Sequence, residues 1–206
     1  MMMEMLNNMT WLGHDGFIIK TQGKTIVIDP YVVKQSEPAD ILCITHDHYD
    51  HCSVEDLEKF LKPGTVIITE PMSAAKLKGD VRGIAPGESV TLGDITITAV
   101  PSYNTNKAFH PKSNNWLGFI IQAGGTRLYH AGDTDLIPEM EGLKVDIALL
   151  PVSGTYVMTW QEAVDAAKKI RPAIAVPMHY DSIVGTKDDA TSFAKALKGV
   201  CEVKIF

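Results

Sequence analysis

Hydrophobic positions along the chain fall first into short β-rich runs and then into alternating strands and helices. Trp11 to Lys20 and Thr25 to Asp29 are apolar or β-branched stretches separated by a turn at Gln22-Gly23-Lys24, which predicts two strands. Ile41 to Thr45 is a third apolar run and ends abruptly in histidine and aspartate. Ser53 can cap a helix, with Asp56 three residues on and Val54, Leu57, Phe60 and Leu61 on one face, and Pro63-Gly64 stops it. Val66 to Thr69 reads as a strand and Ser73 to Leu77 as a short helix. Ser89 to Leu92 and Ile95 to Val100 form a hairpin turning at Gly93-Asp94; Leu117 to Gln122 and Arg127 to His130 form another through Gly124-Gly125. Ile147 to Leu150 is then a strand, Trp160 to Ile170 a helix with Ala163, Ala166, Ala167 and Ile170 on one side, Ala173 to Met178 a strand, Asp188 to Leu197 a helix, and Val200 to Ile205 a closing strand. A meander with helices in each half predicts an α/β (α+β) chain, two sheets packed face to face with helices outside. Between the hairpins, residues 101–115 make a polar loop long enough to suggest a functional role.

Composition narrows the class. The 206 residues, 45% hydrophobic and 21% charged, suit one globular domain over 1–206 that buries its core without staples. A net charge of −6 offers no footprint for nucleic acid. Three cysteines, Cys43, Cys52 and Cys201, form no C-x-x-C pair and point to a reducing, cytoplasmic setting. Met1 to Thr10 lacks the pattern of a signal peptide, and no apolar run reaches the length of a membrane span, so no membrane partner is expected.

The chemistry concentrates in Thr45-His46-Asp47-His48-Tyr49-Asp50-His51, an H-x-H-x-D-H pattern directly after an apolar strand. In an extended segment, residues two apart share a side, so His46 and His48 can offer two imidazoles to one cation. Asp50 continues that face, and the turn toward Ser53 can bring His51 beside it. Imidazole and carboxylate suit zinc and similar transition metals, and ligand pairs this close suggest two ions. A polar loop of hydrogen-bonded residues is the alternative; three histidines and two aspartates in six consecutive residues argue against it, because such groups need partners when buried. None of the seven histidines falls in the three clearest predicted helices, so the site is expected at strand ends and loops.

On these residues the chain resembles the metallo-β-lactamase superfamily, whose first metal motif is H-x-H-x-D-H. Gly132-Asp133-Thr134 follows a strand where that superfamily places its bridging aspartate, and Pro177-Met178-His179 ends a strand where it places its last histidine ligand. Leu12-Gly13-His14, Ile28-Asp29-Pro30 and Tyr129-His130-Ala131-Gly132-Asp133-Thr134 look like its small metal-dependent hydrolases, similar to the L-ascorbate-6-phosphate lactonase group. The resemblance covers nearly the whole chain and implies an αββα sandwich. It departs at Asn104, where many members carry histidine; His110, six residues on, is the expected replacement, with water as the alternative.

The resemblance implies a dinuclear site, with zinc the expected ion and manganese or ferrous iron fitting the same donors. His46, His48 and His110 would hold one ion, Asp50, His51 and His179 the other, with Asp133 between them. Two such ions would generate hydroxide near neutral pH for attack on a small ester, lactone, amide or phosphodiester. Asp50 would orient it and pass on its proton. His14 and His130 read either as groups behind the ligands or as structural histidines. Tyr156 reads as an oxyanion donor or a packing residue, and Cys52 as a soft ligand or a buried thiol. The expected partner is a small molecule. Related readings on the same fold are an iron-dependent redox enzyme and a non-catalytic binding module, and the full ligand set speaks against the second.

Overall fold

The computed structural model describes residues 2–206, and its strands divide into two mixed sheets. The first runs β1 (Met9–Gly13), β2 (Gly16–Thr21), β3 (Lys24–Ile28), β4 (Ile41–Cys43), β5 (Val66–Thr69) and β6 (Asp80–Gly83), in that spatial order. It is antiparallel through β3 and parallel beyond it. The second contains β7 (Ser89–Leu92), β8 (Ile95–Pro101), β9 (Leu117–Ala123), β10 (Thr126–His130), β11 (Ile147–Pro151), β12 (Ile174–Met178) and β13 (Glu202–Val203), again in chain order across the sheet. Its first four strands are antiparallel and its last four run parallel from β10.

Alternation within each strand builds the layers. Phe17, Ile19, Ile26, Ile28, Ile41, Cys43, Val66 and Ile68 enter the core shared with the second sheet. Their neighbours Ile18, Val27, Leu42, Ile44 and Ile67 face the other way, onto Leu57 and Phe60. Successive side chains of a strand point to opposite faces, so strands apolar on both faces are covered on both. Helix α2 (Val54–Glu58) covers the first sheet; α4 (Trp160–Ile170) and α5 (Lys187–Ala196) cover the second, α4 burying Ala163, Val164, Ala166, Ala167 and Ile170. The result is the expected αββα sandwich.

Several boundaries differ from the pattern reading. Trp11 to Lys20 is two antiparallel strands, because Gly13 and His14 take positive φ (98° and 50°) and turn the chain at His14-Asp15. The helix capped by Ser53 ends at Glu58, so Phe60 is buried from the following turn while Val54 and Leu61 stay exposed. The next helix, α3, is Pro71–Ala74 rather than 73–77, since Glu70 accepts from the Met72 and Ser73 amides and caps it early. The closing strand shrinks to Glu202–Val203. Helix α1 (Met2–Asn7) and edge strand β6 were not anticipated.

Both sheets present their site-bearing strand ends to one side. Leu117 N donates to Thr45 O (3.0 Å), His179 N to His14 O (3.1 Å) and Ser102 Oγ to Asp133 O (2.9 Å). His130 accepts from Gly132 N on Nδ1 and donates from Nε2 to Asp15 O (2.9 Å), a strut between sheets with both ring nitrogens committed. Gly132 has φ +63°, and a Cβ there would lie 2.7 Å from Leu117 O, so glycine is required where the chain turns into Asp133.

Near the mouth of that side, the segment after β3 is pinned by Asp56. Its carboxylate accepts from Val32 N (2.8 Å), Val33 N (3.1 Å), Ser53 Oγ (2.8 Å) and Lys59 Nζ (2.8 Å). Burial alone would raise its pKa, but these donors, Lys59 first, hold it below 3.8. A depressed folded pKa means stability present above the unfolded value and lost as pH falls through the folded one. Asp56→Ala should therefore cost about 1–3 kcal/mol near neutral pH. The deficit against wild type should shrink in urea melts run near pH 3; a deficit that stays constant would show that the carboxylate is not the source.

Candidate metal centre

The chain leaves β4 at Cys43 and reaches the motif through Thr45, whose amide and hydroxyl both donate to Asp29. Beyond His46 the backbone is not extended. His51 N (3.1 Å) and Cys52 N (2.8 Å) both donate to His48 O, so a turn, rather than strand alternation, gathers these side chains. His46 Nε2 and His48 Nδ1 lie 3.0 Å apart. His110 arrives from the 101–115 loop, its ring 5.2 Å from each of theirs, and is 1% exposed. The ligand atoms of His46, His48 and His110 lie within 4.8 Å of one another. The indole of Trp116 packs 4.7 Å from both His46 and His48 and walls off this trio.

A second grouping forms beside it. His14, His51 and His179 bring ligand nitrogens within the same 4.8 Å, as do His46, His51 and Asp133. Asp133 sits between the two, 3.1 Å from His110 Nε2, 3.4 Å from His179 Nε2 and 3.5 Å from His51 Nε2. Asp50 Oδ2 lies 3.2 Å from His14 Nε2 and 4.0 Å from His51 Nε2. His51 Nε2, His110 Nε2, His179 Nε2 and Asp133 Oδ1 are buried without an aligned hydrogen-bond partner. Buried polar atoms are normally satisfied. Several converging donors left without partners, in an all-nitrogen-and-oxygen set, are what a transition-metal cradle requires.

The far nitrogen of each ring is held. Thr45 Oγ1 lies 3.0 Å from His46 Nδ1, Asp29 Oδ2 2.8 Å from His51 Nδ1, Asn104 Oδ1 3.1 Å from His110 Nδ1 and Ser153 Oγ 2.8 Å from His179 Nδ1. These contacts place a proton on the far nitrogen and turn a lone pair inward, the usual way a metal-binding imidazole is oriented. Asn104 is fully used, since its Oδ1 also accepts from His110 N and its Nδ2 donates to Tyr156 O. It stands behind His110 instead of taking histidine's place.

Charge follows burial. Desolvation pulls His14 down to about 4, and likewise lowers His46 and His48, leaving neutral rings that can offer lone pairs. Desolvation also pulls on His51, but Asp133 and Asp29 outweigh it and hold that ring well above the usual histidine range. Burial would raise Asp133; the imidazoles of His179 and His51 keep it well below the usual carboxylate range. Asp50 is likewise held low against burial, chiefly by His14.

All the residues singled out in the sequence as ligands lie at this one place. Tyr156 lines the cavity above it, its ring edge-on to Phe109 at 4.8 Å. Cys52 packs with Leu57 and Phe60 beneath the first sheet as a buried thiol. Four contributors were not recognised in these roles: Asp29, Asn104 and Ser153 behind the ligands, and Asp15, fully buried behind Asp133. Asp29 ends the strand beside the one leading into His46, a signal available once β3 and β4 are paired.

Comparison with known proteins agrees with this geometry. The model of the beta-lactamase superfamily domain matches residues 8–179. A UPF0173 metal-dependent hydrolase of Methanoculleus marisnigri is 33% identical, over 96% of this chain and 91% of its own. The crystal structure of a protein assigned to the metal-dependent hydrolases of Parabacteroides distasonis superposes with a TM-score of 0.86 at 35% identity, covering 96% of this chain and 91% of that one. One assigned to the Zn-dependent hydrolases of the metallo-β-lactamase superfamily, from Thermotoga maritima, gives 0.67 at 22% identity over 96% of both chains.

If Asn104 holds His110 by its ring, Asn104→Ala should weaken zinc binding about 10–100-fold, as loss of an orienting partner does elsewhere. His110→Ala should weaken it more. Competition against a chromophoric chelator measures both, and affinities within about twofold of wild type for the pair would remove His110 from the site.

Proposed function

This chain belongs to the metallo-β-lactamase superfamily, as a metal-dependent hydrolase of the UPF0173 group, and on that premise we propose that it works with two zinc ions on a small ester, lactone, amide or phosphodiester. The convergence of unpartnered buried nitrogens on Asp133 supports this reading most directly. In it, His46, His48 and His110 hold one ion, His51, His179 and Asp50 hold the other, and Asp133 faces both.

When bound, such a pair supplies Lewis acidity and lowers the pKa of water toward neutrality. The remaining work falls to side chains. Asp29, Asn104, Ser153 and Thr45 fix the rings so that no reorganisation is needed during reaction. Trp116, 5% exposed, keeps bulk water from the back of His46 and His48. Asp50 lines the open cavity, is ionised, and has His14 at its back. It takes a proton from the attacking water and returns it to the leaving group. Tyr156, on the wall opposite, contacts the substrate.

Metal analysis of saturated protein should return close to two zinc equivalents per chain, with an absorption spectrum free of iron bands. One equivalent or fewer would leave a mononuclear site and sink this reading. His48→Ala and Asp50→Ala should each abolish turnover, with unfolding midpoints near that of wild type, because both sit in a turn at the cavity rather than in the core. Near-normal turnover in either variant would mean that the reaction happens elsewhere.

A further inference from the structure

The cavity over the metal centre has a composition of its own. It measures about 330 Å³ and is lined by His48, Asp50, His110 and Asp133 at its floor. Around the opening stand Tyr49, Phe109, Tyr156 and Ile183. Tyr49 is 66% exposed, Phe109 51% and Ile183 36%. Phe109 packs edge-on to Tyr156 at 4.8 Å, and Tyr49 edge-on to Tyr31 at 5.8 Å, so the rings form two braced walls.

No lysine or arginine lines the cavity. The lysines on the segments that supply its rim are committed to carboxylates. Lys107 reaches Asp135 at 2.6 Å, Lys112 reaches Glu139 at 2.8 Å and Lys187 reaches Asp181 at 3.3 Å. Lys76, beside the histidine turn, is held by Asp47 at 2.8 Å. The charged group that does face the opening is Asp50, an anion. An anionic tail placed among these rings would lose its water and find no cation, which is costly. An apolar tail would cover exposed aromatic surface, which is favourable.

We infer that the substrate is an uncharged carboxylic ester or lactone whose part remote from the scissile bond is apolar, gripped by Tyr49, Phe109, Tyr156 and Ile183. The cavity volume lies at the low end for ligand pockets, which limits that part to a single ring or a short branched chain. In the reaction the water oxygen bonds to the carbonyl carbon and the carbon–oxygen single bond breaks. One water proton goes to the leaving oxygen and the other to solvent, leaving a carboxylate and an alcohol. This inference rests on the hydrolase reading above, and the test keeps the two apart.

The zinc-loaded protein is assayed with two esters of matched length, para-nitrophenyl butyrate and para-nitrophenyl hydrogen succinate, which differ by a terminal methyl against a carboxylate. The neutral ester should win in kcat/KM by about tenfold or more. Phe109→Ala and Ile183→Ala should each shrink that ratio, and Ile183→Lys should shift it toward the anionic ester. Binding of benzohydroxamate and para-carboxybenzohydroxamate, measured by calorimetry, gives a readout independent of turnover. The neutral probe should bind about tenfold tighter, with the margin reduced in the same three variants. If neither ester is cleaved but the hydroxamate preference holds, the hydrolase reading fails and the apolar rim stands. Equal affinities, a preference for the anionic probe, or no binding of either would overturn the inference.

Discussion

A carboxylate buried among imidazoles governs this molecule. Asp133 is 4% exposed and has His110, His179 and His51 within 3.5 Å. Taking such a group out of water costs several kcal/mol unless charge and hydrogen bonds offset it. The neighbouring strand ends deliver the offset. β10 leads into Asp133, the segment after β4 supplies His51, β12 ends at His179, and the loop after β8 carries His110. Remove that convergence and the two sheets would share a greasy interface with no reason to meet in this register at this end.

The convergence is held under strain. His14, Asp29 and His179 all have positive φ, 50°, 40° and 59°, a region that residues other than glycine seldom enter. Each lies at the point where a strand releases the chain into the site. Strain of this kind, of order 1–3 kcal/mol per residue, persists only where surrounding contacts over-determine it. Here the contacts are visible: His179 N to His14 O, and Asp29 to Thr45 and His51. The strained residues of one sheet are thus pinned by partners in the other or in the adjacent strand. The site and the packing of the sandwich are a single cooperative arrangement.

This explains what could be read from sequence and what could not. His46, His48, Asp50 and His51 announce themselves because titratable residues so dense, next to an apolar strand, need a common partner. His110 was reached by elimination and is where its loop brings it, beside His46 and His48. Asn104, one turn of argument away, was read only as a departure; its actual work, accepting from both the amide and the ring of His110, depends on a loop conformation that no local pattern encodes. Asp29 eluded the reading because its partners Thr45 and His51 are 16 and 22 residues distant and meet it only through strand pairing. The same limit applies to secondary structure. β6 is an edge strand without buried residues, and α1 is six residues long, so neither carries enough periodicity to register. The His14-Asp15 turn was hidden inside an apolar run whose Gly13 and Gly16 were its only punctuation.

Asp15 shows how far the arrangement leans on cations. It is fully buried, neither carboxyl oxygen has a hydrogen-bond partner, and burial together with the Asp133 charge pushes its pKa well above the usual range. Asp29 and His51 stand close to it. A carboxyl in that position is a cost with no local return, and it lies directly behind the residue that would face both ions. Positive charge in front of Asp133 draws off the repulsion that Asp15 feels from it, so ions bound by the histidines relieve a group they never touch. Ligands that bind only the folded state add to its stability by mass action. In this protein the addition is larger in kind than a simple clamp, because occupancy also removes an electrostatic conflict built into the fold. Metal affinity, the protonation of Asp15 and the docking of the two sheets are therefore coupled, and a change in any one of them moves the other two.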